Sequence, residues 1–207
     1  TKIADEVENE INEQDGRRIS RQFTSLRDKL VKQKIRLFNN YCDLEILKRT
    51  AETHGTEVQT ILENTEQQYN AVKTILNNTE PYHSAALRIS STSDPALLRD
   101  TRGGVFDQKK FVVKLQEMIP ELNTTLEETP ERLKQVRETR YTILRGELET
   151  LKGFDKDTSM TQILDELKEK LKNPQIRSET DEFDELLDKL QVKFDDVKAV
   201  SYTHLTL

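Results

Sequence analysis

The sequence predicts an all-α protein, an elongated chain in which a long coiled-coil-like helix is followed by a helical hairpin or small bundle. Three observations carry that prediction. Apolar residues recur at spacings of three and four nearly everywhere, and strand-like alternation is almost absent. The composition is 34% hydrophobic and 34% charged, with six Gly and no Trp, against roughly 45–50% apolar and about 25% charged in an average globular chain. Such a balance suits helices that bury a stripe. Third, a heptad register holds over many turns of the first eighty residues.

With Phe23 as an a position, Leu30, Leu37, Leu44, Ala51, Val58 and Val72 follow in register, and only Thr65 is polar. The d positions are Leu26, Gln33, Asn40, Leu47, His54, Ile61, Gln68 and Ile75. The interaction seam is therefore Phe23, Leu26, Leu30, Leu37, Leu44, Leu47, Val58, Ile61, Val72 and Ile75. Its register runs through Gly55 without a slip and favours one long, kinked helix from about Gly16 to Asn77, roughly 90 Å at 1.5 Å per residue. Gly55-Thr56 with Gln59 three residues on reads instead as a helix stop and capping box, which would make a hairpin with its break at 54–56. Residues 1–80 form this first element.

Residues 81–106 read as a loop-rich connector. The stretch "NNTEP" ends the long helix, Thr79 and Pro81 start a short one through Leu87, and "SSTSDPALLRDTRGG" carries the Ser, Asp-Pro and Gly-Gly signals of a hinge. Residues 107–200 form the hairpin or bundle. Asp107 caps a helix bearing Phe111, Val112, Leu115 and Met118, which Pro120 interrupts. Thr129-Pro130 opens the next, with Leu133, Val136, Ile143, Leu144, Leu148 and Leu151, and Gly153 closes it. Ile163, Leu164, Leu167 and Leu171 mark a further helix, ended by "NPQ". Phe183, Leu186, Leu187, Leu190, Phe194 and Val197 share one face of the last. From Ser201 the charge disappears and the composition favours an extended strand. Residues 201–207, "SYTHLTL", resemble the translated sequencing-adaptor read-through at the ends of proteins from metagenomic assemblies. That resemblance implies a non-native tail and a fragment of a longer protein.

Charge is segregated. Residues 17–49 hold ten basic and three acidic side chains, while 1–16 hold one and six, and 50–80 one and five. Arg18, Arg21, Lys29, Lys32 and Arg36 fall within an arc of roughly 80° opposite the apolar seam. This cationic strip is the candidate nucleic-acid contact. No aromatic residue lies in it, which argues against a stacking platform for single strands.

Reactive constellations are missing from the sequence. The three histidines stand far apart, the single cysteine Cys42 cannot close an internal disulfide, and neither a phosphate-binding loop nor a dinucleotide fingerprint is present. "DKDTSMTQILDE" places Asp155, Asp157, Ser159 and Glu166 at calcium-loop positions, but Met160 stands where the loop needs Gly. No cofactor, no metal and no catalytic residue is expected. No run reaches the ~18–20 apolar residues of a membrane span, and cytoplasmic residence is the expectation for a chain with no disulfide pair. The leading functional expectation is a non-catalytic interaction or scaffold segment of a larger protein, associating with itself or another helix through the seam. The alternative is a helical arm of a nucleic-acid-processing protein that contacts nucleic acid through the cationic strip.

Overall fold

The computed structural model describes residues 2–51, 55–91, 108–151, 153, 158–172 and 181–205, with side chains at 14–51, 55–91, 109–151, 153, 158–172 and 181–203. The elements among them are five α-helices: α1 Lys2–Thr50, α2 Glu57–Ser91, α3 Gln108–Leu151, α4 Ser159–Leu171 and α5 Glu182–Leu205. His54, residues 92–106 of the expected connector, the calcium-loop positions Asp155 and Asp157, and the last two residues of the tail lie outside the described residues, whereas residues 81–91 of that connector are helical, as the end of α2.

The heptad register through Gly55 does not make one helix. α1 stops at Thr50 and α2 starts at Glu57, where the Val58 amide donates to the Gly55 carbonyl at 3.3 Å. α1 and α2 run antiparallel, as Arg27 meets Thr79 and Phe38 meets Tyr69. The turn therefore overrides a continuous pattern, because folding back lets each half of the seam bury the other.

Prolines mislead in the opposite direction. Pro81, Pro120 and Pro130 were expected to start or break helices, yet α2 passes through Pro81 and α3 through both others. An interior proline removes one hydrogen bond and costs about 3 kcal/mol, so packing has to supply the difference. Around Pro81 the buried Arg27 supplies bonds of its own. Its Nη2 donates to the Leu76 carbonyl at 3.1 Å and to Glu80 Oε2 at 2.7 Å, and its Nε donates to Thr79 Oγ1 at 2.9 Å. Thr129, read as an N-cap, is fully buried and accepts from Gln68 Nε2 at 3.0 Å. The buried face of α3 continues past both prolines through Val112, Leu115, Ile119, Leu122, Thr125, Thr129, Leu133 and Val136. That unbroken spacing decides the helix.

The chain divides into two compact units, each assembled from separated stretches rather than from consecutive domains. Unit 1 holds residues 1–34 and 70–128, and unit 2 holds 35–69 and 129–207. In unit 1 the parts of α1, α2 and α3 bury Ile19, Phe23, Leu26, Leu30, Val72, Ile75, Ala86, Ile89 and Leu115. In unit 2, α4 and α5 join the other parts of those three helices around Leu44, Leu47, Val58, Leu62, Leu144, Leu148, Leu167, Phe183, Leu187 and Phe194. α5 extends to Leu205, so Ser201–Leu205 are helical and not an extended strand.

Gly146 lies exposed within α3, and a Cβ built there would have no neighbour within 4 Å. Gly146→Ala should therefore raise stability by about 0.5–1 kcal/mol through helix propensity alone. Urea unfolding followed by circular dichroism checks this, and a lower midpoint would show a packing role for the glycine.

A buried arginine network and an exposed apolar stripe

Each predicted seam residue is a core residue. Phe23, Leu30, Leu37, Leu44, Leu47 and Val72 are fully buried, Leu26, Val58 and Ile75 nearly so, and Ile61 is half-buried against the core of unit 2. The seam expected to receive a partner is occupied within the chain itself. The antiparallel return of α2, together with α3 and, in unit 2, α5, already covers it.

The polar d positions have a structural use. Asn40, fully buried on α1, donates from Nδ2 to Asp184 on α5 at 3.1 Å. Its Oδ1 accepts from Arg140 Nη1 on α3 at 2.8 Å. Arg140 is 1% exposed; its Nη2 reaches Asp188 and Gln191, each at 3.0 Å, and Asp43 at 3.2 Å. One turn earlier, Arg137 forms a two-pronged pair with Asp184, both contacts at 2.7 Å. These bonds pin α1, α3 and α5 in one parallel register, because a shift by one turn would strand a guanidinium in the core. Buried ion pairs add little net stability but strongly penalise the wrong arrangement.

Within the network Asp43 is pushed up to about 6. Burial is the main cause; Arg140 pulls the other way, and Asp188 and Asp184 add to the rise. The nearby guanidinium would by itself favour the carboxylate, but partial desolvation and two further carboxylates outweigh it. A raised acid pKa means that the folded protein holds the proton more tightly than the unfolded chain. The stability from this group is full below about pH 4 and is lost as pH rises through about 6. Asp43→Asn should flatten that part of the stability profile and leave the protein no less stable at pH 7.5. Thermal melts at half-unit steps from pH 4 to 8 check it, and an unchanged slope would place the titration elsewhere.

The cationic strip is divided. Arg36 is tied to Asp181 at 2.7 Å, Arg18 pairs with Asp15 at 3.2 Å, and Arg21 donates to the Ser90 carbonyl at 3.4 Å. Lys29 and Lys32 are exposed. Arg36 belongs to unit 2, whereas the other four belong to unit 1.

Sequence reasoning missed a second apolar face on α1. Within unit 2, Ile35 is 55% exposed, Phe38 52% and Ile46 46%, with Cys42 half-buried between them. At 100° per residue these four lie within roughly 80° of arc, centred about 180° from Leu37, Asn40, Leu44 and Leu47. The spacing 35, 38, 42, 46 was present in the sequence, but a search for a single a/d seam assigns those positions to solvent. The Phe38 ring tilts against Tyr69 of α2, with centroids 5.8 Å apart.

The carboxylates near this stripe are paired, Glu45 with Arg49 at 3.0 Å and Asp43 with Arg140 at 3.2 Å. On the α2 side, Glu66 and Glu45 help to raise the Tyr41 hydroxyl, though burial is the larger cause; Asp43 and Glu45 act in the same way on the Cys42 thiol, again after burial. On α5, burial followed by repulsion from Asp196 raises Asp195. The net charge follows the same division. Unit 2 carries 17 basic and 23 acidic side chains, which is the whole net charge of −6, and unit 1 carries 15 of each.

A cavity of about 310 Å³ lies between the end of α3 and the start of α4. Tyr141, Leu148, Met160 and Leu164 line it, with Arg145 and Lys168 among its charged residues. Arg145 sits 5.7 Å over the Tyr141 ring. Thr158 leads into α4 at φ 56°, a left-handed conformation that β-branched residues rarely adopt. Glu149 and Asp165 offset the two cations, so the lining selects no ligand by charge. Among the described residues no group of three His, Cys, Asp or Glu side chains could hold a metal ion, and no helix is long and apolar enough to cross a membrane.

Fold and surface together define a class, an all-α chain of packed amphipathic helices with a buried polar network and an apolar stripe left at the surface. Comparison with protein-family models, with curated proteins and with solved structures gives no match.

Proposed function

We propose that this chain is a non-catalytic helical interaction or scaffold segment of a larger cytoplasmic protein, and that it binds through the outer stripe of α1 rather than through the seam. The observation that carries the reading is the exposure of Ile35, Phe38 and Ile46 on one face of a helix whose opposite face is fully packed. Three large apolar side chains aligned over three turns are the anchor pattern of helix-in-groove recognition. The buried polar groups support the same reading, since their hydrogen bonds join helix to helix within the core.

A display selection tests this reading. The full chain, immobilised and offered a library of helical peptides, should enrich sequences that the Phe38→Ser, Ile46→Ser double variant does not. Enrichment of the same sequences by both proteins would remove the stripe from the account.

Nucleic-acid contact is the second reading, favoured by the exposure of Arg18, Arg21, Lys29 and Lys32 on unit 1. It requires duplex binding that weakens steeply with salt and is lost when these four are reversed to Glu. Salt-independent or unaltered binding would eliminate it.

A further inference from the structure

We infer that Asp43 of α1 and Asp188 of α5 hold one proton between them, and that this proton latches α5 onto α1, so that α5 opens locally when the proton leaves. The hydrogens around Arg140 run out before the acceptors do. Its Nη2 carries two, and they go to Asp188 Oδ1 and Gln191 Oε1, each at 3.0 Å. Asp43 Oδ2 lies 3.2 Å from the same nitrogen and finds no hydrogen left on it. Gln191 supplies none to that carboxyl either, since its Nε2 donates to the Asp43 backbone carbonyl at 3.3 Å. The Asp43 carboxyl is instead in hydrogen-bonding contact with Asp188. Such a contact needs a hydrogen on one of the two carboxyl groups, because an ionised carboxylate only accepts.

The charges around the pair leave that proton in place. On α3, Arg137 is occupied by Asp184 in its two-pronged contact, so Arg140 alone faces Asp43 and Asp188. On α1, Arg36 is tied to Asp181, and Cys42 is a neighbour on which Asp43 itself acts. Two carboxyl groups around one guanidinium nitrogen do not both ionise readily, since each charge disfavours the other. Burial first, then Asp188 and Asp184 against the pull of Arg140, push Asp43 up to about 6, in agreement with that sharing. With the proton, Asp43 and Asp188 join α1 to α5; without it, two carboxylates repel across the same contact. Arg137 with Asp184 and the apolar face of Phe183, Leu187, Leu190 and Phe194 remain, so the loss loosens α5 without detaching it.

The size of the effect follows from linkage. Opening returns Asp43 to the ordinary carboxylate value of about 4, whereas the closed form holds the proton up to about 6. The opening equilibrium therefore rises about tenfold between pH 5 and 7.5. Hydrogen exchange of the full chain, corrected for the intrinsic rise of exchange with pH, reads it. Amides of residues 183–194 should lose about tenfold in protection over that range, while those of residues 115–122 in unit 1 keep theirs. Asp43→Asn, whose amide can donate to Asp188 at every pH, should hold the low-pH protection throughout, and Asp188→Asn should shrink the dependence by removing the like charge. Circular dichroism at pH 5 confirms that both variants fold. Carbon-13 spectra of the aspartate carboxyls should show Asp43 and Asp188 moving with one common midpoint near 6.

Separate titration of the two carboxyls in the ordinary range would overturn the shared proton and the latch with it. A common midpoint with α5 protection unchanged by pH would keep the proton and overturn the latch. Equal loss of protection in residues 115–122 would make the effect global and overturn local opening. A pH dependence that Asp43→Asn retains would assign it to another group and overturn the inference.

Discussion

Arg140→Ala should lower the stability of unit 2 by about 3–5 kcal/mol, the usual cost of removing one partner from a buried charged cluster. The side chain is 1% exposed and serves Asn40, Asp188, Gln191 and Asp43 at 2.8–3.2 Å. Its loss leaves the Asn40 amide oxygen and the Gln191 oxygen without their donor, and it opens a cavity where α1, α3 and α5 converge. Arg140→Lys should recover only part of the loss, because one ammonium cannot reach acceptors that lie around both terminal nitrogens of a planar guanidinium. Urea unfolding monitored by circular dichroism reads the effect. A loss below about 1 kcal/mol would reclassify the cluster as a solvated surface arrangement.

Phe23→Ala should be as severe, at about 3–5 kcal/mol, and for a different reason. Phe23 is fully buried in unit 1 beside Ile19, Leu26 and Leu30 of the same helix, so truncation removes transfer free energy and leaves a hole that a bundle of rigid helices fills poorly. The loss should be the same at low and high protein concentration, since the seam is covered within the chain. A loss that shrinks as concentration rises would mean that a second molecule contributes to the packing around Phe23.

The helical class was legible because periodicity reports burial directly, and the seam residues named from the heptad register are all core or core-lining. Four kinds of information were hidden. The reversal between α1 and α2 depends on what the second half of the seam finds to pack against, which a local register cannot express. Pro81, Pro120 and Pro130 look like boundaries until the burial of Thr79, Thr125 and Thr129 shows that the packed face runs on past them. Arg140 occupies a seam position, seven residues after Leu133 and four after Val136, and that misplaced charge was a readable sign of a buried network. Its partners on α5 were not readable, since they depend on which helices become neighbours. The stripe was overlooked for a simpler reason: a helix with apolar residues on two opposite faces satisfies a search for one face and conceals the other.

On the proposed reading, α1 has two apolar faces with different roles, an inner one that holds the fold together and an outer one that a partner covers. Urea unfolding of Leu44→Ser and Phe38→Ser, measured side by side, tests it on two residues of the same helix. Leu44 is fully buried and Phe38 is 52% exposed. Leu44→Ser should cost several kcal/mol, at least the ~2–5 kcal/mol of a buried leucine truncation, while Phe38→Ser should cost no more than about 1 kcal/mol, its share of the contact with Tyr69. Equal losses, or a larger loss at Phe38, would mean that the outer stripe is part of the core and would contradict the claim.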